Sequence, residues 1–307
     1  MEVWNFSERI TENRRQVLAL GNFDGVHLGH RQLLRRGKEI AARSGLPLGA
    51  LLFDPHPLKI LIPEKELNLL SDQETKIRWL SECGVDSVCL APFDRTLADT
   101  PPRDFARRLL LPLGTAHAVV GFNYSFGKGG QGKPADLRRL GQEYGFGVSV
   151  VRAQRLGQRI ISSSAIRASL AEGDLALAAA MMGRSPCVRG LVGSGDGRGR
   201  LLGFPTANLR LPEDILIPGD GVYAVRGFIG GRWYDGMLNI GVRPTFGEGL
   251  PRAVEAHFFD FSGDLYGQEI FLTLEARLRG ERRFTSAAAV SAQLKEDKEE
   301  ARRCLKL

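Results

Sequence analysis

The feature that most constrains this chain is a strand-like segment that runs directly into a turn rich in glycine and histidine. Residues 17–20 are all apolar (VLAL), and Gly21 to His30 follow at once with the sequence GNFDGVHLGH. Beyond Gly29, apolar residues recur at helical spacing to about Ala42. A buried strand, a tight turn and a helix in this order predict the first β-α unit of a parallel sheet.

The two histidines of the turn, His27 and His30, are expected at the N-terminus of this helix. Backbone N–H groups without partners and the positive end of the helix dipole favour an anion there, and phosphate is the obvious candidate. The alternative is that both side chains only cap or pack the helix. In phosphoryl and nucleotidyl transfer the protein mainly aligns reactants and neutralises charge, which suits two histidines in this position.

Strands and helices alternate through the first half of the chain, which predicts a parallel sheet covered by helices. The predicted strands are 17–20, 48–53, 87–93, 116–122 and 147–151. Ser71 is expected to open a helix that stops near Gly84, and Thr100 to cap another ahead of Pro101. Ligands of such sheets bind at the carboxyl ends of the strands, where residues 22–30, 54–57 and 123–127 follow.

Two further segments resemble phosphate-binding elements. Gly127 to Lys133 nearly match a P-loop, but Pro134 stands where the hydroxyl residue must be, so we expect a glycine-rich loop over a substrate or a solvated turn. The serines at 162–164 are expected to cap a short helix, with Arg167 as a fixed cation one turn beyond Ser163. Capping alone accounts for the serines equally well.

Length and composition fit two domains without a membrane segment. The chain has 307 residues, about twice the usual domain of roughly 100–200 residues, and a change of pattern after Gly183 predicts domains at 1–183 and 184–307. The first ten residues are not a signal peptide and no apolar run approaches the ~20 residues of a membrane span, so we expect a cytoplasmic protein.

The four cysteines lack metal-ligand spacing and are expected to be reduced. The net charge of +7 invites a nucleic-acid interpretation, but the arginines are spread over both halves, so phosphorylated small molecules explain the charge as well.

The second half predicts a small closed barrel followed by a helix from about Thr285 to Arg303. The predicted strands are 187–192, 222–229, 234–240, 254–261 and 270–278. The run 193–200, which follows the first of these strands, does not match a dinucleotide fingerprint, although its glycines can turn N–H groups towards phosphates.

Three side chains of the barrel half are candidates for phosphate chemistry. Thr206 and Asn208 offer hard oxygen ligands that suit Mg²⁺ held mainly by nucleotide phosphates, although a simple turn is the more common use of such a segment. Glu255 shares a strand face with His257 and is able to take a proton from an attacking hydroxyl if that face lines a pocket. A solvated outer-face carboxylate is the alternative.

Taken together, the motifs resemble those of the bacterial bifunctional riboflavin kinase and FMN adenylyltransferase family, over residues 10–303. The matching segments are GNFDGVHLGH at 21–30, FDPHP at 53–57, GFNYSFG at 121–127, ISSSAIR at 161–167, GFPTAN at 203–208, NIG at 239–241 and GDLYG at 263–267. The resemblance implies an N-terminal Rossmann-like nucleotidyltransferase domain with a parallel sheet and a C-terminal closed β-barrel of riboflavin kinase type with a terminal helix. It also implies two ATP-dependent steps, from riboflavin to FMN and from FMN to FAD.

The resemblance also assigns roles to residues. In the kinase domain, Gly203, Pro205, Thr206 and Asn208 would bind ATP, the latter two with Mg²⁺, and Glu255 would be the general base. In the adenylyltransferase domain His27 and His30 would act on the triphosphate and Asn123 would face the flavin phosphate. The remaining ATP-binding residues implied there are Asn22, Gly25, Ser163, Ser164 and Arg167.

The chain departs from the family pattern at one position. The family usually has Ser-Thr-x-x-Arg where this chain has Ser163, Ser164 and Arg167, so a hydroxyl is kept and a methyl group is lost. This change should weaken the restriction of the side-chain rotamer more than the chemistry.

Three different functions compete with this interpretation. A class I aminoacyl-tRNA synthetase shares the histidine motif, but the barrel motifs argue against it. A flavin or nucleotide sensor without turnover and a nucleic-acid-binding protein on the same fold are the two further hypotheses. The expected partners are riboflavin, FMN and ATP, without nucleic acid or membrane, and the sequence leaves the oligomeric state open.

Overall fold

A computed structural model describes residues 1–6, 15–194, 203–241, 252–282 and 284–305. The glycine- and arginine-rich residues 195–200 therefore lie outside the described part. The chain forms two compact units. The first unit is Met1–Leu67 with Gln73–Ser162, and the second is Asn68–Asp72 with Ser163–Leu307. The predicted domain boundary at 183/184 remains a prediction.

The first unit is built on a six-stranded, all-parallel sheet. Its strands are β1 (Glu2–Asn5), β2 (Gln16–Leu20), β3 (Leu48–Asp54), β4 (Ser87–Pro92), β5 (Thr115–Gly121) and β6 (Gly147–Val151), in the order β1-β4-β3-β2-β5-β6. The parallel sheet and its five predicted strands are confirmed. The sixth strand, β1, is an edge strand that the sequence analysis missed.

Helices and short turns connect these strands. They are α1 (Leu28–Ser44), α2 (Pro57–Leu61), α3 (Gln73–Glu82), α4 (Arg95–Ala98), α5 (Pro102–Phe105), which continues as a π-helical turn over Ala106–Leu110, and α6 (Pro134–Tyr144). A short hairpin of β7 (Arg155–Leu156) and β8 (Arg159–Ile160) follows. The prediction that Thr100 caps α5 is wrong, because Pro101 occupies the cap position without a side-chain bond and the Thr100 hydroxyl donates to the carbonyl of Thr96 at 2.8 Å.

The glycine-rich segment after β5 is closed by its own hydrogen bonds. Phe126 and Gly132 exchange two backbone hydrogen bonds of 3.0 and 2.9 Å. The Lys133 ammonium donates to the carbonyl of Gly130 at 2.6 Å, and Pro134 begins α6. This geometry is consistent with the exclusion of a P-loop, because the ammonium of Lys133 is hydrogen-bonded to the loop itself.

The strand order creates the position of the first candidate site. Strand β2 lies between β3, which follows it in the chain, and β5, which comes later. Parallel sheets bind ligands where the strand order reverses in this way, at the carboxyl ends of the strands. Apolar residues such as Leu18, Leu20 and Val120 are fully buried beneath this edge and fix the strands.

The second unit is a closed antiparallel barrel with helices. Two helices, α7 (Ser163–Glu172) and α8 (Leu175–Met182), precede the barrel strands β9 (Cys187–Gly193), β10 (Ala207–Arg210), β11 (Gly221–Ile229), β12 (Arg232–Gly241), β13 (Ala253–Phe258) and β14 (Glu269–Arg279), and α9 (Ala287–Leu305) ends the described chain. The strand order around the barrel is β10-β13-β12-β11-β14-β9. The predicted barrel and terminal helix are confirmed, and β10 is a sixth strand that the sequence analysis did not recognise.

The terminal helix packs on the outside of the barrel. Met237, Ala301 and Leu305 are buried together between the helix and the strands. Arg279 on β14 donates two hydrogen bonds of 2.8 and 2.7 Å to the buried carboxylate of Asp297 on α9. One outer face of the barrel is therefore covered by α9.

Two features of the described chain concern membranes and cysteine chemistry. None of its helices has the length and apolar character needed to cross a membrane. No disulfide joins the cysteines, all four of which lie within the described residues.

Candidate functional sites

The turn between β2 and α1 has an unusual backbone. Phe23 and Val26 have φ angles of +48° and +36°, and both side chains are fully buried. Such angles are uncommon for residues with a side chain and especially so for β-branched valine. Held strain of this kind is concentrated at functional sites, where the surrounding structure maintains it.

The two histidines lie against each other at the start of α1. His27 is the N-cap residue, and its Nδ1 accepts a hydrogen bond from the backbone N–H of His30 at 3.3 Å. The two rings are stacked, with 3.8 Å between their centroids and 14° between their planes. A Cβ on Gly29 would lie only 3.0 and 3.1 Å from atoms of the His27 ring. Because Gly29 has no side chain, the His27 ring has room to lie against the start of the helix.

Both histidines are neutral at physiological pH. Burial lowers the pKa of His27 to about 4. Burial lowers the pKa of His30 well below its usual value, and the charges of His27 and Lys76 act in the same direction. Because Nδ1 of His27 accepts a hydrogen bond, its proton is on Nε2. The histidines therefore offer an anion neutral N–H donors rather than fixed positive charges.

One nitrogen of this pair lacks a hydrogen-bond partner. Among the described residues, Nδ1 of His30 is buried and has no hydrogen-bond partner. A buried polar atom without a partner costs free energy, so such an atom often marks the place of a ligand or water. The prediction that these two side chains form a site at the start of α1 is consistent with this observation.

The other residues predicted for this edge of the sheet follow the two central strands. Asn22 is exposed after β2, Gly25 is buried in the turn, and Asn123 is exposed after β5. Since β2 and β5 are neighbours in a parallel pair, Asn22 and Asn123 lie at the same edge of the sheet. Beside Asn123, burial raises the pKa of the Tyr124 phenol, which therefore stays protonated.

The serine and arginine residues predicted for the same site belong to the second compact unit. Ser163 begins α7, and Ser164 on its first turn is exposed. The Nε of Arg167 donates to the carbonyl of Asn68 at 2.8 Å, which fixes the orientation of the guanidinium. The grouping of Ser163, Ser164 and Arg167 with the histidines remains a prediction.

Lys76 is not among the residues predicted from the sequence. This lysine on α3 is buried, with 8% of its surface exposed, and its charge is one cause of the lowered pKa of His30. A lysine in an amphipathic helix normally extends into solvent. The sequence contains no local signal that Lys76 is buried, because the burial depends on the tertiary structure.

The second candidate site lies at the start of β10. Gly203 has a φ of +80°, a backbone conformation that glycine adopts without strain, and Phe204 behind it is buried. Pro205 is exposed, while Thr206 and Asn208 are half-buried and two residues apart. The segment therefore brings a hydroxyl and an amide from a tight turn onto the barrel.

Strand register aligns Asn208 with Glu255. Asn208 on β10 pairs directly with Glu255 on β13, and Glu255 pairs with Asn239 on β12. Paired residues on neighbouring antiparallel strands extend from the same face, with their Cβ atoms about 4.5–5.5 Å apart. The intervening residues Val254 and Ala256 are buried inside the barrel, so the aligned row lies on its outer side. Asn239 was named only within the NIG motif at 239–241 and was given no role, because register is not visible in one strand.

The side-chain oxygen atoms of Thr206, Asn208 and Glu255 form a suitable donor set for Mg²⁺. A hydroxyl, an amide oxygen and a carboxylate are hard ligands, and Mg²⁺ bound with a nucleotide needs only one or two from the protein. The described residues contain no group of three or more His, Cys, Asp or Glu side chains that would hold a metal by themselves. Thr206 and Asn208 therefore fit a metal that is held chiefly by phosphates.

Comparisons with known proteins bear on both units. A family model described as FAD synthetase matches residues 9–165, and one described as riboflavin kinase matches residues 182–305. The bifunctional riboflavin kinase/FMN adenylyltransferase of Bacillus subtilis is 37% identical over 297 residues, covering 94% of this chain and 92% of that protein. The Escherichia coli K12 protein of the same description is 39% identical, covering 93% and 91%.

Solved structures show the same fold. A crystal structure from Streptococcus pneumoniae, described as a macrolide-efflux protein, has a TM-score of 0.89 at 28% sequence identity. The match covers 98% of this chain and 99% of that one. The two family models occur in the order in which the α/β unit and the barrel occur here. The chain belongs to the family of bifunctional riboflavin kinase/FMN adenylyltransferases.

Proposed function

We propose that this chain converts riboflavin to FAD in two ATP-dependent steps at two sites. The barrel domain, residues 184–307, transfers the γ-phosphoryl group of ATP to the ribityl 5′-hydroxyl and releases ADP. The α/β domain, residues 1–183, joins FMN to the AMP part of a second ATP and releases pyrophosphate. The observation that carries this proposal is that the parallel-sheet unit contains the stacked His27 and His30, while the barrel aligns Asn208 with Glu255, and both groups suit phosphate chemistry.

In the adenylyltransferase step, a phosphate oxygen of FMN attacks the α-phosphorus of ATP. His27 and His30 donate hydrogen bonds from neutral N–H groups to the triphosphate, and the N-terminus of α1 contributes its dipole. Lys76, which is buried and whose positive charge lowers the pKa of His30, adds a further positive charge to this site. No covalent enzyme intermediate is needed, because alignment and charge neutralisation supply the catalysis.

The other proposed contacts in this step involve the edge of the sheet and the serine segment. Asn22 and Gly25 bind ATP from the turn after β2, and Asn123 faces the flavin phosphate from the turn after β5. The proposed contribution of α7 to ATP binding is made by Ser163, Ser164 and Arg167. The bond from Arg167 to Asn68 supports this role, since a guanidinium with a fixed orientation binds phosphate with less loss of entropy.

In the kinase step, Glu255 accepts the proton of the 5′-hydroxyl as that oxygen attacks the γ-phosphorus. Its alignment with Asn208 supports this role, because it brings the base next to an ATP-binding residue. Gly203 and Pro205 form the turn that approaches the phosphates, and Thr206 and Asn208 hold Mg²⁺ with them. When bound there, Mg²⁺ neutralises charge on the phosphate oxygens.

The experiment is a time course with purified protein, riboflavin, ATP and Mg²⁺, followed by chromatography of the flavins. We expect FMN to appear first and FAD to follow. FMN alone would mean that the α/β domain is inactive or takes another substrate. The absence of both products would favour a flavin or nucleotide sensor, or a tRNA-dependent enzyme.

We also propose that the protein acts in the cytoplasm, because both reactions consume ATP. Cell fractionation with an antibody against the chain tests this location. The soluble fraction should contain the protein together with the FMN-forming activity, and recovery of both with membranes would contradict the proposal.

A further inference from the structure

His257 connects strand β13, which carries Glu255, to the turn that precedes Thr206. It lies on β13 two residues after Glu255, on the same side of the strand, and only 7% of its surface is exposed. Its Nδ1 is 2.8 Å from the carbonyl oxygen of Pro205. A carbonyl oxygen only accepts hydrogen bonds, so Nδ1 carries the proton and donates it.

Aromatic rings surround the imidazole and hold it in place. Phe204 lies edge-on to it, with 5.2 Å between ring centroids, and Phe259 is 5.8 Å away. Burial lowers the pKa of His257, and the positive charge of Lys298 on α9 acts in the same direction. His257 is therefore a neutral residue whose one N–H group is directed at Pro205.

The bond to Pro205 fixes the peptide group that leads into Thr206. The peptide bond from Pro205 to Thr206 is trans, because the only cis peptide among the described residues is Asp54-Pro55. In a planar trans peptide the carbonyl and the following N–H point in opposite directions. Fixing the carbonyl of Pro205 therefore fixes the direction of the Thr206 N–H and limits where the Thr206 side chain lies.

We propose that His257 is a positioning residue of the kinase site, which holds the Gly203–Thr206 turn so that Thr206 and Asn208 face the ATP phosphates. The inference rests on the proposed function of Thr206 and Asn208. His257 does not touch the reacting atoms and acts only through the turn. Partners that orient metal ligands in this way typically contribute about 10–100-fold to affinity or activity.

The test compares His257→Asn with His257→Gln in the full chain. The amide nitrogen of asparagine occupies the place of Nδ1, whereas that of glutamine lies nearer to the place of Nε2. We expect H257Q to raise the KM for MgATP in the kinase reaction about tenfold or more, with the KM for riboflavin unchanged. H257N, in contrast, should have a KM for MgATP within about threefold of the native value.

The adenylyltransferase reaction of the same chain is the internal control. Both variants should convert supplied FMN to FAD at the native rate, since the proposed site of that reaction does not include His257. Equal effects of H257N and H257Q, or a parallel rise in the KM for riboflavin, would overturn the positioning role. Thr206→Val tests the proposed function separately from the positioning role of His257. Native kinase activity in T206V would remove Thr206 from the mechanism, and with it the function on which the role of His257 rests.

A measurement on the native chain reports the tautomer of His257 directly. In nitrogen-15 NMR of histidine-labelled protein, His257 should appear as the neutral tautomer with its proton on Nδ1. The signal is assigned by its loss in either variant. A proton on Nε2 alone would overturn the proposal, because the bond to Pro205 would then have no donor.

Discussion

At the scale of single residues, the protonation state of the two stacked histidines decides how they meet an anion. Nδ1 of His27 accepts a hydrogen bond from the backbone N–H of His30, and the pKa of each imidazole is lowered, so both are neutral near pH 7. Two neighbouring imidazolium groups would repel each other at 3.8 Å. A bound triphosphate would stabilise their protonated forms, so we expect ligand binding to raise the pKa of both.

The lowered pKa of His27 predicts a loss of stability in acid. The unfolded chain takes up a proton at His27 near pH 6.5, while the folded chain does so only near pH 4. The free energy of unfolding therefore falls as the pH decreases through this window, by about 3 kcal/mol for His27 alone. Above pH 6.5 the group has no effect on the pH dependence.

His27→Asn is the matched variant for this prediction, because asparagine is a good N-cap residue but does not titrate. Urea unfolding followed by tryptophan fluorescence measures the effect in a Trp233→Phe background, in which the remaining Trp4 and Trp79 both belong to the first unit. The native profile should fall more steeply than the H27N profile between pH 6.5 and 4. Parallel profiles would contradict the lowered pKa.

Lys76 is predicted to serve the adenylyltransferase reaction. Replacing it with methionine keeps an apolar stem in a buried position but removes the charge that lowers the pKa of His30. In Lys76→Met we expect the pKa of His30 to rise and the KM for ATP in FAD formation to increase about tenfold, with FMN formation unchanged. Histidine NMR titration and the two separate assays measure these effects. Lys38→Met on the exposed side of α1 is the control, and equal behaviour of the two variants would contradict the role.

At the scale of elements, the start of α1 depends on the absence of a side chain at Gly29. An added methyl group would lie 3.0 and 3.1 Å from the His27 ring, so the ring or the helix start must move by a few tenths of an ångström. We expect Gly29→Ala to reduce FAD formation from FMN about tenfold, because small displacements of positioning groups are costly in catalysis. FMN formation should not change.

Gly21→Ala is the matched control for this prediction. Its Cβ would make ordinary contacts of 3.5 to 3.7 Å with the Phe23 ring in the same turn. Steady-state rates of both variants with supplied FMN give the comparison. A native rate in G29A, or an equal loss in G21A, would show that the space beside His27 is not required.

The elements also show what sequence alone reveals and what it does not. The strand β2 and the start of α1 are predictable because an apolar run and a capping residue are local signals. The strand β1 was missed because it has four residues and pairs only with β4, more than eighty positions later. The strand β10 was missed because it is equally short and follows a glycine and a proline, so its pairing with β9 and β13 is the main evidence for it.

The candidate sites follow the same division. His27, His30, Thr206 and Glu255 are predicted as candidates because their types and spacing are visible in short motifs. The burial of Lys76 and the alignment of Asn239 with Glu255 depend on packing and on strand register. Tertiary structure alone determines these features, since segments far apart in the chain create them.

At the scale of the whole molecule, the two reactions are expected to use separate machinery. Glu255 belongs to the barrel unit and His30 to the α/β unit. A substitution of Glu255 should therefore stop FMN formation alone, and a substitution of His30 should stop FAD formation alone. Loss of an essential base or donor typically reduces the rate by about 10²–10⁴-fold, so the two effects are readily separated.

The most direct test of this claim is a chromatographic time course of flavins with Glu255→Gln, His30→Ala and an equal mixture of the two. E255Q should form no FMN from riboflavin but convert supplied FMN to FAD, and H30A should accumulate FMN without FAD. The mixture should restore FAD from riboflavin, because FMN made by one chain is a substrate for the other. Loss of both reactions in either folded single variant would contradict the assignment of two independent sites.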